Sequence, residues 1–167
     1  MEAIERIAEE MCLAARTAPK GRGIDLLEIM ILKGEEIKKL SDKMAKIGEK
    51  ENHPTFLRDS ETILKASAVV VIGTKKQYIG LKYCGFCGFP GCAEAEQAKA
   101  SCVFNPGDLG IAVGSAVAVA MDHRVDNRIM YSAGKAALEL GWLGKEIGIA
   151  FGIPLSVSGK NPFFDRK

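Results

Sequence analysis

Apolar side chains recur every three or four residues along several stretches of the chain, which is the spacing of one helix face. The stretches that predict longer helices are residues 4–15, 35–49, 108–120 and 128–140. Asp and Ser side chains accept hydrogen bonds from the first amides of a helix, so we expect Asp59 and Ser60 to begin a short helix that continues to Ala66. By the same reasoning, Asp108 is expected to begin the helix of residues 108–120.

Three continuous apolar runs are too short for buried helices and rich in β-branched residues, which favours strands. They lie at residues 26–32, 68–72 and 147–155, and Pro154 is expected to end the third. The run at 68–72 carries no charge, so we expect it to be the central strand. The pattern predicts one α+β domain spanning residues 1–167, in which helices flank a central sheet.

The composition fits one globular domain and excludes strong attraction to nucleic acid or anionic lipid. The 167 residues include 23 basic and 21 acidic ones, mixed along the chain to a net charge of +2. The longest apolar run, residues 110–121, is shorter than the roughly 20 residues needed to span a bilayer. The charged N-terminus does not resemble an export signal, so we expect a cytoplasmic protein without membrane insertion.

Four of the five cysteines lie close together, at Cys84, Cys87, Cys92 and Cys102. Four thiolates can hold either a tetrahedral zinc ion or a four-iron, four-sulfur cluster. Zinc ribbons usually show two C-x2-C pairs and this chain has one, so the cluster is favoured and zinc is the alternative. Residues 74–106 are therefore predicted to form a cysteine-rich lobe that binds the metal centre.

Glycines at 85, 88 and 91 leave backbone amides free to approach sulfur, and Cys92 opens a helix-forming stretch whose N-terminus favours negative charge. An unbroken helix from Cys92 to Cys102, however, would separate their α-carbons by about 15 Å. Either the chain folds back before Cys102, or Cys12 or Asp108 replaces it as the fourth ligand.

The segment Cys84-Gly-Phe-Cys-Gly-Phe-Pro-Gly-Cys92 resembles the start of the four-cysteine motif of anaerobic electron-transfer and corrinoid iron–sulfur proteins. Together with the segments 14–23, 108–116 and 152–166, it also resembles a prokaryotic family described as containing a ferredoxin domain. That resemblance covers nearly the whole chain. It implies a cluster protein typical of anaerobic bacteria and archaea, without an assigned reaction.

A second resemblance is to flavin-dependent nitroreductases, which also open with a helix and a basic loop and later show an Asp-x-Gly-x-Ala helix start. Here that start is Asp108-Leu-Gly-Ile-Ala112. The resemblance implies a nitroreductase-like fold, a homodimer and bound FMN. The residues it nominates for the flavin phosphate are Arg16, Arg22, Lys160 and Arg166.

These observations predict an iron–sulfur protein that transfers electrons to a partner protein or a small-molecule acceptor. A structural zinc site in a binding module is one alternative, and a flavin-dependent reductase with an accessory cluster is another. The two histidines, His53 and His123, lie on predicted loops without a partner that spacing supplies. The sequence therefore assigns no catalytic residue and no substrate.

Overall fold

The computed structural model describes residues 2–164, which form one sheet with helices on both of its faces. The helices are α1 (Glu2–Thr17), α2 (Glu35–Lys50), α3 (Pro54–Ile63), α4 (Cys92–Gln97), α5 (Phe104–Asp122) and α6 (Tyr131–Glu139). The strands are β1 (Leu27–Leu32), β2 (Ala68–Lys75), β3 (Asp126–Asn127) and β4 (Ile147–Ser156). The predicted α+β fold is confirmed.

The sheet has the order β1-β2-β4-β3, and every neighbouring pair of strands is antiparallel. β2 pairs along both edges, and its residues 68–72 are completely buried. An uncharged β-branched run suits this position because both of its faces are covered. The prediction that this segment is the central strand is therefore confirmed.

Alternate side chains of β2 contribute to two separate cores. Val69 and Val71 face a core that α2, α3 and α6 complete. Val70 and Ile72 face the opposite core, which α1 and α5 complete. The period-two alternation of a strand thus divides the molecule into two helical layers.

The start of α3 differs from the prediction. The helix begins at Pro54, five residues before Asp59, because proline is well suited to the first turn of a helix. Asp59 and Ser60 lie inside the helix and are buried. Asp59 accepts hydrogen bonds from Arg58 at 2.8 Å and from the hydroxyl of Ser132 at 2.6 Å, so it connects α3 to α6 rather than capping a helix.

Two other predicted boundaries are also wrong. α5 begins at Phe104, so Asp108 lies within the helix, buried, and both of its carboxylate oxygens accept from the Gly21 amide at 3.0 Å. β4 runs through Pro154 to Ser156. The amide of Gly152 donates to the carbonyl of Met130, so it points away from β2. Backbone nitrogens two residues apart in a strand point to the same side, so the nitrogen of Pro154 also points away from β2. Proline therefore removes no hydrogen bond to β2.

Candidate metal centre and the neighbouring basic loop

The cysteine-rich segment connects the end of β2 to the start of α5. Cys87 lies in a turn that runs from Gly85 to Gly88, and Cys84 directly precedes this turn. The two glycines have φ angles of 67° and 85°, which favour glycine, and the amide of Gly88 donates to the carbonyl of Gly85 at 3.0 Å. Cys92 is the first residue of α4, where the sequence predicted a helix to begin. The first three thiols of the lobe thus lie just before a tight turn, within it and at a helix start.

The chain reverses direction between Cys92 and Cys102. α4 ends at Gln97, and the amide of Ala100 donates back to the carbonyl of Ala95 at 2.9 Å. Lys99 adopts a left-handed conformation with φ of 53°, which turns the chain out of the helix. The unbroken helix that would keep Cys102 away from Cys92 is therefore not formed.

Tyr78 lies at the centre of this reversal. Its hydroxyl is 2.6 Å from the carbonyl of Ala100 and 3.2 Å from that of Ala95, so it donates across the turn that follows α4. Desolvation raises the pKa of Tyr78 most, and nearby negative charges raise it further. Those charges belong to Glu96, Cys102, Cys87 and Cys92. Three of the four clustered thiols therefore lie within electrostatic range of one phenol, which the cysteine spacing alone did not indicate.

All five cysteines carry free thiols. Across residues 2–164, no three His, Cys, Asp or Glu side chains are close enough together to hold a metal ion as they stand. The thiols share one lobe but are not drawn into a ligand set. The assignment of Cys84, Cys87, Cys92 and Cys102 as metal ligands remains a prediction.

The two alternative fourth ligands are engaged elsewhere. Cys12 lies on α1 beside Ile29 and Ile31 of β1. Burial raises the pKa of its thiol to about 11, although Arg16 nearby opposes this effect, so the thiol is protonated near neutral pH. Asp108 holds the Gly21 amide with both carboxylate oxygens.

The basic loop after α1 is held in place by its own cations. Arg16 pairs with Asp25 at 2.7 Å and donates to the carbonyl of Leu27 at 2.9 Å. Arg22 donates to the carbonyl of Ile79 at 2.8 Å, which ties the loop to the segment that enters the cysteine lobe. Of the predicted phosphate-binding residues, Arg16 therefore lies in the last turn of α1, and Arg22 lies in the loop that follows, beside the lobe.

The other two predicted phosphate-binding residues belong to the C-terminal tail. The strand register pairs Lys75 with Ile147, at the start of β4, so Ser156 lies at the far end of that strand. Ten strand residues span roughly 30 Å, and Lys160 follows beyond Ser156. The chain thus leaves the sheet for Lys160 at the end opposite the basic loop. Arg166 lies outside the described residues.

A cavity of about 420 Å³ lies where the basic loop, the cysteine lobe and α5 meet. Lys20 and Gly21 line it from the loop, Phe86 from the lobe, and Phe104 and Asp108 from α5. The rings of Phe86 and Phe104 stack, with centroids 6.2 Å apart and an interplanar angle of 21°. The cavity gives a planar group access to both the basic loop and the cysteine lobe.

Comparison with known sequences identifies two relationships. The profile of a family described as "Uncharacterized protein containing a ferredoxin domain" matches residues 98–166, a range that includes Cys102 but not the other three clustered cysteines. A protein from Archaeoglobus fulgidus, described as uncharacterized, is 40% identical over 174 residues. That alignment covers 99% of this chain and 92% of the relative.

Comparison with solved structures identifies nitroreductase-like flavoproteins. A nitroreductase with bound FMN from Desulfitobacterium hafniense aligns with a TM-score of 0.64 and 15% identity, over 93% of this chain and 79% of that one. Nitroreductase CinD from Lactococcus lactis, in complex with nicotinic acid, aligns with a TM-score of 0.64 and 14% identity, and the alignment covers 96% of this chain and 84% of that one. A BluB-like flavoprotein from Clostridium difficile aligns with a TM-score of 0.58 and 18% identity, and the alignment covers 94% of this chain and 82% of that one. At sequence identities this low, the structural likeness shows that this chain shares their fold.

Replacing Tyr78 with Phe tests whether the hydroxyl holds the chain reversal after α4. The substitution keeps the ring and removes the donor to Ala95 and Ala100, so we expect the amides of residues 98–102 to exchange about fivefold faster with solvent. Hydrogen exchange followed by NMR measures this change. Tyr83→Phe is the control, because Tyr83 is fully exposed and makes no hydrogen bond within residues 2–164. Equal exchange in the two variants would contradict the role given to Tyr78.

Proposed function

The chain belongs to the family of proteins described as containing a ferredoxin domain, and from this premise we propose that it binds one four-iron, four-sulfur cluster and transfers electrons. The observation that carries the proposal is the chain reversal after α4. Because α4 ends at Gln97, no helix holds Cys102 away from Cys92. Three of the clustered thiols, those of Cys87, Cys92 and Cys102, lie within electrostatic range of the one phenol of Tyr78.

The donor set fits such a cluster in its chemistry. Cys84, Cys87, Cys92 and Cys102 would be the ligands, and all four are free thiols within one lobe. Gly85 and Gly88 place no side chain between their backbone amides and the neighbouring sulfur atoms. Burial of Cys102 would limit access of water to that thiol. When bound, the cluster would supply one-electron redox chemistry.

The partner in this proposal is a redox protein or a small electron acceptor in the cytoplasm. The exposed side of the lobe presents Tyr83 and Phe86, and neither ring is buried by the chain itself. An exposed aromatic surface beside a redox centre would let a partner approach without first opening the lobe.

Metal analysis of anaerobically purified protein separates the cluster from the zinc alternative. We expect roughly four iron and four sulfide per chain, because four thiolates satisfy one cubane cluster. One zinc per chain without sulfide would overturn the proposal. Cys102→Ser is expected to lose most of the iron, whereas the control Cys12→Ser retains it, since Cys12 lies on α1 beside β1. Full iron content in Cys102→Ser would place the fourth ligand elsewhere.

A flavin-dependent reductase is the second candidate function, and the cavity between the basic loop and the lobe favours it. FMN would place its phosphate at the basic loop, where Lys20 and Gly21 line the cavity, and its ring beside Phe86 and Phe104. Arg16 and Arg22 flank these two loop residues in sequence. Lys160 and Arg166 remain predicted phosphate contacts. The FMN named for the nitroreductase from Desulfitobacterium hafniense, which shares the fold, supports this candidate.

Release of cofactor on denaturation tests the flavin candidate. If the candidate is correct, protein reconstituted with FMN and desalted releases about one flavin per chain, measured by its fluorescence after unfolding. Arg22→Ala is expected to lower this amount, because it removes one phosphate-binding cation and the bond that ties the loop to Ile79. Lys39→Ala, which removes an exposed cation from α2, is the matched control. Protein that retains no flavin after reconstitution would exclude the candidate.

The outer face of α5 supports a homodimer, which the nitroreductase resemblance also implies. The exposed residues of α5 carry no charge before Asp122 at its last position, and they include Gly107, Gly110, Ile111, Gly114, Ala118 and Met121. A side chain added at any of its three glycines would meet nothing within 4 Å, so a second helix has room to approach closely.

Within residues 2–164, α5 is also the one helix long and apolar enough to cross a bilayer, although core helices of soluble proteins meet the same criteria.

We propose that a second copy of the chain covers this face. Light scattering in detergent-free buffer is expected to give twice the 18.0 kDa mass of one chain. Ile111→Glu places a carboxylate in the interface and should yield the monomer, because an unpaired charge is costly to bury. Leu64→Glu is the control, since Leu64 is similarly exposed but follows α3. A monomeric wild-type protein would contradict the proposal.

A further inference from the structure

A second cavity, of about 580 Å³, lies on the opposite face of the sheet from the basic loop. It opens between the C-terminal half of α2, the start of α3, and α6. Its apolar floor includes Ile47 and Phe56, which belong to the core on that face. The volume falls within the usual range for small-molecule sites, about 300–1,000 Å³.

The charge around the cavity is predominantly positive. Four lysines and two glutamates line it: Lys43, Lys46, Lys50, Lys135, Glu51 and Glu139. The carboxylate of Glu139 lies 2.9 Å from Nζ of Lys43 and 3.6 Å from Nζ of Lys135. The carboxylate of Glu51 lies 3.1 Å from Nζ of Lys50. Lys46 makes no ion pair or hydrogen bond within residues 2–164. The excess of two positive charges matches a phosphate monoester, which carries about −1.5 to −2 near neutral pH.

Three aromatic rings form one wall. His53, Phe56 and Tyr131 contact one another edge to face, with centroid separations of 5.3, 6.3 and 5.5 Å. The ring of Tyr131 remains partly exposed beside the lysines. An apolar aromatic wall next to a cationic rim suits a ligand that joins a planar ring to an anionic group.

One polar atom in this wall has no partner. The hydroxyl of Tyr131 lies 3.1 Å from Nε2 of His53, whereas Nδ1 of His53 is buried and makes no hydrogen bond within residues 2–164. Buried polar groups are normally hydrogen-bonded, whichever ring nitrogen carries the proton. The chain itself covers Nδ1, so a ligand in the cavity would contact other atoms of the His53 ring.

We propose that this cavity binds a planar organic phosphate. Lys46 would hold the phosphate, and the rings of His53, Phe56 and Tyr131 would contact the planar group. The cavity borders the core of α2, α3 and α6, whereas the basic loop and α5 belong to the other face, so this cavity is separate from the one proposed for the flavin. The cysteine motif predicts none of the residues that line this cavity.

Titration of the full-length protein with adenosine monophosphate tests the proposal, with backbone amide NMR shifts as the readout. We expect shifts at residues 43–56 and 131–139, the segments that line the cavity. Adenosine and inorganic phosphate should each bind at least about fivefold more weakly, because each offers only part of the interaction. Shifts confined to the basic loop or to α5, or equal binding of adenosine, would overturn it.

A matched pair of variants on α2 isolates the role of charge. Lys46→Ala is expected to weaken binding of adenosine monophosphate by about fivefold at low ionic strength. Lys39→Ala removes the same charge from an exposed position on the same helix that does not line the cavity, and should bind as the wild type does. Equal affinities in the two variants would refute the assignment of Lys46.

Discussion

Burial of β2 on both faces is the constraint on which the rest of the structure depends. Val69 and Val71 require one helical layer, and Val70 and Ile72 require the other, because neither set of side chains can face water without losing its hydrophobic stabilisation. The antiparallel pairing with β1 then places Leu27 opposite Thr74. The basic loop before β1 and the cysteine lobe after β2 consequently lie at the same end of the sheet.

This placement explains why the lobe and the basic loop lie together although Arg22 and Ile79 are 57 residues apart in sequence. Arg22 reaches Ile79 at the entrance to the lobe, and Asp108 of α5 holds the loop through Gly21. A redox centre in the lobe would therefore lie beside the surface where a nitroreductase-like fold could hold a flavin. The opposite helical layer, formed by α2, α3 and α6, contributes to neither and contains its own cationic cavity.

Much of this arrangement follows from the sequence. Periodicity identified α2 and the buried strand β2, and cysteine spacing drew attention to the lobe. Side-chain capping rules failed at Asp59 and Asp108, since both carboxylates form long-range contacts, with Ser132 and Gly21, that local sequence cannot reveal. The sequence offered a turn after α4 as one of two alternatives but could not decide it, because the segment after Cys92 favours a helix and the bond across its end comes from Tyr78, 22 residues before Ala100. Tertiary contacts override local propensity at each of these positions.

We propose that the four clustered cysteines hold one iron–sulfur cluster at the end of the sheet where the basic loop also lies. Anomalous diffraction at the iron absorption edge, from crystals grown without oxygen, tests it most directly. We expect iron density for a four-iron cluster in which each iron is bonded to one of the sulfur atoms of Cys84, Cys87, Cys92 and Cys102. A peak at the zinc edge alone, or an iron peak that lacks Cys102 among its ligands, would contradict it.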